Sequence, residues 1–341
     1  MRPSISKTNQ EFMKQIPYSL ALLFLVMAFS MASCTKDTPK NYGNGNSGQP
    51  SVRNSQLDDI FSSLKSTPQT FNVVAGTQQV VLGAQKTRLT FYPNSFKDKN
   101  GVTITSGNIT VQLTEVYKPG DMIGNRAPTT SNGKLLLSGG EVYVKAYRNG
   151  EEVYANTYGI GFAQPAMSTQ PMRLFYGDNN NEAGTVNWTE SSSNIGSNAN
   201  TTTVDSGGQN MNIYYQFDSC TSFNWINCDY FYDSTSQLTG VEVVVPDTSF
   251  NTNNTMVFLF FPGINSATYF NTYSWGTHSF SLSGGYNVPV GMAVHIVSIS
   301  NVNGTYYYSE MLNQTITNNM SVNISPQPQT LSYIQNALSL L

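Results

Sequence analysis

The side chains able to do acid–base, covalent or metal chemistry are few and scattered along this chain. His278, in YSWGTHSF, and His295, in GMAVHIVSI, are its only histidines, and Cys34, Cys220 and Cys228 its only thiols. A serine-type hydrolase needs a nucleophile, a base and an orienting acid, and no G-x-S-x-G elbow is present. His295 lies in an apolar run and reads as a hydrogen-bonded strand residue, whereas His278, after Trp275 and Gly276, reads as a loop residue. Neither belongs to an H-E-x-x-H pair, so no histidine-based zinc centre is expected. Carboxylate pairs are a further option, because the separation that sets glycosidase chemistry belongs to the fold and not to sequence spacing. Glu115, Glu141, Asp229 and Asp233 are the candidates, and each also stands where a strand or turn acid would. Asp178, Asn180 and Glu182, in DNNNEAG, repeat the alternate spacing of a calcium loop. Gly184 falls one place late, however, and Glu190 stands thirteenth where that loop needs its acid twelfth. A solvated hairpin tip explains them better than calcium. Tyr273 and Trp275 in NTYSWGTH, with Tyr306 and Tyr307 in NGTYYYSE, could stack on sugar faces beside hydrogen-bonding amides. The competing reading is ordinary core and sheet-surface tyrosine.

Cys34 has the most informative surroundings. The chain opens with MRPSISKTNQEFMKQ, basic at Arg2, Lys7 and Lys14, and runs apolar through IPYSLALLFLVMAFSMAS to that cysteine. About fifteen apolar residues would span only ~22 Å as a helix, short of a hydrocarbon core of roughly 30 Å. This is the layout of a cleaved leader and not of a permanent span. Met31-Ala32-Ser33-Cys34 resembles the lipobox of bacterial lipoproteins, which implies a covalent lipid of several acyl chains on Cys34, enough for stable anchoring. The polar stretch TKDTPKNYGNGNSGQPSVRNSQ then reads as a flexible tether of about 25 Å end to end. Thr35, and not an aspartate, follows the cysteine, which favours the outer membrane. Both periplasm-facing and surface-facing placements stay open.

Composition narrows the partners. Without Arg2, Lys7, Lys14 and Glu11, 14 basic residues face 19 acidic ones, a net charge of −5, and no basic stripe is visible. Nucleic acid is therefore not an expected partner. Only 11% of residues are charged, yet Tyr and Phe number 20 and 18, a bias that suits half-buried sheet faces. With Cys34 lipidated, Cys220 and Cys228 are left in an oxidising compartment. They read either as a disulfide, with the chain turning near residues 222–224, or as two buried thiols acting as small apolar groups.

From Phe71 onward the chain reads as strands and turns, with an Asn-Gly hairpin signal in YRNGEEV. TRLTFYPNSFKDKNG, GNITVQLTEVYKPGDMI and PTTSNGKLLLSGGEVYVKAYRNG together resemble the ZU5-like β-sandwich domain of uncharacterised Bacteroidota lipoproteins, over residues 71–165. That resemblance implies scaffolding or binding, since ZU5 relatives are interaction modules, and it carries over no catalytic residue.

The expected architecture is all-β, two consecutive β-sandwich domains with short flanking helices. Its parts are a lipoprotein signal peptide (1–33), the lipidated cysteine and tether (34–56), a short helix (57–66) packed on the first sheet, and the ZU5-like sandwich (70–165). A hairpin and low-complexity loop (166–208), a second sandwich (209–328) and a C-terminal helix (329–341) follow. Asn54 is expected to cap the first helix, and Thr330 the last, which would close a sheet edge. The expected function is a non-catalytic, membrane-anchored envelope module that binds another envelope protein or mediates adhesion. A glycan-binding lipoprotein for polysaccharide capture is the alternative, and a secreted hydrolase the third reading. No cofactor beyond the Cys34 lipid is expected, and no oligomeric state is assigned.

Overall fold

The computed structural model describes residues 55–163, 172–179, 184–195, 197–204, 210–282 and 287–341. Cys34, the leader, the tether as far as residue 53 and Asn54 lie outside the described residues, whereas Ser55 and Gln56, read as the end of the tether, belong to the first helix. Residues Ser51–Leu341 form one compact unit, and among the described residues no helix is long and apolar enough to cross a membrane.

The first sandwich is built on a long antiparallel sheet. Its main path runs Gln69–Val74, Asn108–Val116, Lys134–Arg148, Asn224–Phe231, Arg173–Asp178, Asn187–Ile195. A five-stranded sheet faces it, in the order Ser197–Val204, Asn210–Cys220, Tyr158–Phe162, Arg88–Phe91, Gln79–Leu82. Alternation places Ile109, Val111 and Leu113 inward against Leu89, Phe91 and Ile160. The hairpin at Asn149-Gly150 forms with positive φ at both residues, 53° and 84°, and pairs Arg148 with Glu151, as its sequence predicts.

The second sandwich pairs a four-stranded with a five-stranded sheet. The first runs Thr272–Ser274, Ser279–Ser281, Val241–Val244, Met320–Asn323, the last two parallel. The second runs Ser266–Tyr269, Thr255–Phe261, Ala293–Val302, Thr305–Thr315, Gln327–Pro328. Val241, Val243 and Phe280 from one pack on Val257, Leu259, Phe261 and Ile296 from the other.

Three details differ from the sequence reading. Strands Asn210–Cys220 and Asn224–Phe231, assigned there to the second sandwich, hydrogen-bond into the two sheets of the first, because long-range pairing and not chain order fills the gap between Lys134–Arg148 and Arg173–Asp178. The segment read as a low-complexity loop contains paired strands, Asn187–Ile195 and Ser197–Val204. Ladder hydrogen bonds use the backbone, so polar Ser, Thr and Asn can join a sheet where little needs to be buried. The first helix, α1 (Ser55–Leu64), packs on the second sandwich and not on the first sheet.

The reason for that last difference is which apolar face lacks a cover. The first sheet is covered on both sides, whereas Met256, Phe258, Val297, Ile299 and Tyr308 form an apolar face on the outside of the second sandwich. Leu57, Ile60 and Phe61 of α1 cover it together with Ile123 of α2 (Pro119–Gly124) and Ile334 and Leu338 of α3 (Leu331–Ser339). The Thr330 hydroxyl accepts from the Tyr333 N–H at 3.1 Å, the expected N-cap. α3 lies on this face and closes no edge. The edge of Thr305–Thr315 is instead met by the short Gln327–Pro328 pair, where proline limits further pairing.

α2 fits between the other helices only because of its glycines. A Cβ on Gly120 would stand 1.9 Å from the Leu338 carbonyl oxygen, and one on Gly124 2.7 Å from that of Leu64. Gly120→Ala is expected to destabilise the protein by about 1–3 kcal/mol through this overpacking and to loosen α3. Urea unfolding and amide exchange of residues 331–339 would check it, and an unchanged midpoint would contradict the packing.

Candidate functional site

The structure separates most of the sequence-derived candidates. His295 accepts from the Asn313 N–H through Nδ1 at 2.8 Å and stacks obliquely near Phe260. His278 has φ 50° and meets the Tyr273 hydroxyl at 3.2 Å. Glu115 is a buried brace: its carboxylate accepts from the N–H groups of Gln85 and Thr87 at 2.8 and 2.9 Å and from Gln69 Nε2 at 2.8 Å. Asp178 is exposed, and Asn180 and Glu182 lie outside the described residues. Among the described residues no group of three or more His, Cys, Asp or Glu side chains gathers as a metal centre.

The four aromatic candidates do not make one platform. Trp275 is 59% exposed, but its ring stands edge-on to Tyr273 at 88°. Tyr273 is held by a hydrogen bond to the Phe250 carbonyl. Tyr306 and Tyr307 face opposite sides of their strand, one toward the helix-covered core and the other toward the sandwich core.

Cys220 and Cys228 are buried and unbridged. The chain does turn between them, but they sit in strands of opposite sheets, both facing the first core. Burial pushes both thiols up, with Asp218 adding to the effect on Cys220 and Asp229 to that on Cys228. Such thiols are inert. Alkylation of protein purified without reductant should therefore label neither cysteine while folded and both in denaturant. A mass lower by one disulfide would contradict this.

Two of the four candidate carboxyls do meet. Alternation along Lys134–Arg148 sends Val142, Val144 and Ala146 into the first core, and so turns Glu141 and Tyr143 to the opposite face. Glu141 lies opposite Val116 on one side and Asn227 on the other. A bulge follows, and Asp229 lies opposite Ser138. That face is not solvent. Val116, Leu136, Phe175, Trp188 and Trp225 bury it against Met122 and Ala127 and against Phe260 and Ala267 of the second sandwich.

Glu141 and Asp229 are both 0% exposed. The Asn227 amide donates to Asp229 Oδ2 at 2.5 Å, the Ser138 hydroxyl reaches Asn227 Oδ1 at 3.5 Å, and the Gly140 N–H donates to Ser138 Oγ at 3.1 Å. Both Glu141 oxygens and Asp229 Oδ1 have no hydrogen-bond partner. Burial drives both carboxyls well above their usual range. The Asp229 charge raises Glu141 further, while Ser138, Asn227 and the Gly139 N–H pull Asp229 partly back. An acid in an otherwise apolar strand, as in LLLSGGEVYV, is the sequence signal for this pair, and the Asn-Cys-Asp of FNWINCDYFY is its counterpart.

The sign of the linkage follows from those raised values. Each group contributes stability that is complete below its unfolded value, about pH 4, and is lost as pH rises through the folded value. With a chelator present, the urea midpoint of Glu141→Gln should gain on that of the native protein between about pH 5 and pH 8. A constant difference would contradict the burial of ionisable Glu141.

Close to this pair, the two sandwiches leave an open groove of ≈ 510 Å³. Tyr230, Phe231 and Tyr232 line one side as half-buried rings, with Lys134 and Asp233 as charged members of the wall. Leu238, 54% exposed, and Pro289 form the other side. Phe231 also packs into the junction core below. No protein-family model matches the chain, and no curated protein matches it.

Proposed function

We propose that this chain is a lipid-anchored, non-catalytic protein of the cell envelope that binds a segment of another envelope protein in the groove between its sandwiches. The observation that carries the reading is the groove itself. Its rings are tyrosine and phenylalanine, residue types enriched at protein interfaces, tyrosine also at their hot spots, and an exposed leucine and two opposite charges stand around them. Its floor is fixed, because Phe231 is anchored in the core that joins the sandwiches. A preformed groove binds with less ordering cost than loops that must close. Lipidation of Cys34 and a tether of residues 35–54 would hold that groove clear of an outer membrane, and the resemblance of residues 71–165 to ZU5-like domains points to interaction in the same way.

The glycan reading is favoured by one observation, the exposed Trp275. It would place the ligand on the second sandwich, away from the groove.

Incorporation of a labelled fatty acid should be lost in Cys34→Ala, with the protein shifting from the membrane to the soluble envelope fraction. A photo-crosslinker at Leu238 should trap one discrete adduct in cells, and Tyr230→Ala with Tyr232→Ala should reduce that adduct about tenfold or more, as expected for removal of hot-spot rings. An unchanged adduct would remove the groove from the reading. Polysaccharide retention lost on Trp275→Ala alone would instead favour the glycan reading.

A further inference from the structure

We propose that Glu141, Asp229, Asn227 and Ser138 form a buried site for a hard divalent cation, calcium by preference, at the junction of the two sandwiches.

The argument is a count of donors and acceptors. One Asn227 amide hydrogen serves Asp229 Oδ2, the Ser138 hydroxyl hydrogen serves Asn227 Oδ1, and the Gly140 N–H serves Ser138 Oγ. None of these donors, nor the Gly139 N–H that acts on Asp229, reaches Glu141. Both oxygens of Glu141 and Oδ1 of Asp229 still lack a partner. The strand register puts Glu141 beside Asn227, on the face that carries Asp229, and the two carboxyls are near enough for the Asp229 charge to act on Glu141, so the unpartnered oxygens share one buried face. With Asn227 Oδ1 and Ser138 Oγ they supply five oxygen atoms and no nitrogen or sulfur. Hard cations of the calcium type take six to eight such ligands, a bidentate glutamate commonly among them.

Charge points the same way. When ionised, two carboxylates in a dry interior need a compensating positive charge. The nearest basic residue in register, Arg173 opposite Asp229, is engaged by Glu190. Lys134 is exposed at the groove. A divalent cation balances both carboxylates at once. It would also tie Lys134–Arg148 to Asn224–Phe231 on the face where the second sandwich docks, making the junction depend on calcium.

Because the cluster is closed to solvent, the cation enters while the protein folds, and the test is made at unfolding equilibrium. Urea curves of the purified protein are compared in calcium and in EDTA. Terbium, a luminescent stand-in for calcium, is read by energy transfer from Trp225, which lies two residues before Asn227 and packs on Tyr143 at 5.0 Å. Calcium is expected to raise the midpoint of the native protein, and refolding in terbium to give sensitised emission that calcium competes away. Glu141→Gln and Asp229→Asn should each lose both responses while unfolding as cooperatively, and Asp178→Asn should keep both. A midpoint identical in calcium and EDTA would overturn the proposal. So would a calcium response retained in Glu141→Gln. Equal stabilisation of Glu141→Gln in both buffers would show that protons, and not a cation, neutralise the pair.

Discussion

The structure depends on one apolar contact, the burial of the outer face of the first sheet by the second sandwich. Strand Asn108–Val116 records it directly. Its burial alternates over the first half and becomes continuous from Leu113 to Val116, where Met122, Phe260 and Ala267 come down on the sheet. The contact is also stitched by polar groups. Thr129 donates its N–H to the Ala267 carbonyl at 2.9 Å, and its hydroxyl meets Ser266 Oγ and the Ala267 N–H, each at 2.7 Å. On the first-sandwich side of the contact, Trp188 Nε1 donates to the Pro128 carbonyl at 2.8 Å, leaving its ring free to fill the core. Satisfied polar groups of this kind fix a single arrangement of the two halves.

Everything nearer the surface follows from that contact. Once the first sheet is covered, α1 has only the outer face of the second sandwich to cover, and Arg126 fastens it there. The guanidinium reaches Asp58 at 2.7 Å and lies over the Phe61 ring at 5.1 Å. The tyrosine-lined groove is the rim of the same junction, and the carboxyl pair lies within it. Glu115 and Glu141 show what this placement does to chemistry. Glu115 turns toward donors from the strand-connecting residues 85–87 and becomes a brace. Glu141, its near neighbour across the strands, turns the other way into a junction where no hydrogen bond reaches it.

Local features were legible in the sequence and distant ones were not. The Asn149-Gly150 turn and the Thr330 cap depend on residues within one turn, and each forms as read. The partner of a strand depends on what else is unpaired, which no local window contains. That is why Asn224–Phe231 could not be placed in the first sandwich. The polar strands from residue 187 to 204 escaped because composition reports side-chain burial, whereas pairing needs only backbone. Glu141 and Asp229 are both legible as strand or turn acids. Their meeting required the register, and the bulge before Asp229, to be known.

Amide hydrogen exchange under native conditions, followed strand by strand, tests whether the sandwiches form one cooperative unit through their junction. The slowest amides of Lys134–Arg148, Asn224–Phe231 and Thr255–Phe261 should open with the same free energy and respond in parallel to low urea. If Thr255–Phe261 exchanged through a separate, lower-energy opening while the first sandwich stayed protected, the two halves would be independent domains and the groove between them would not be preformed.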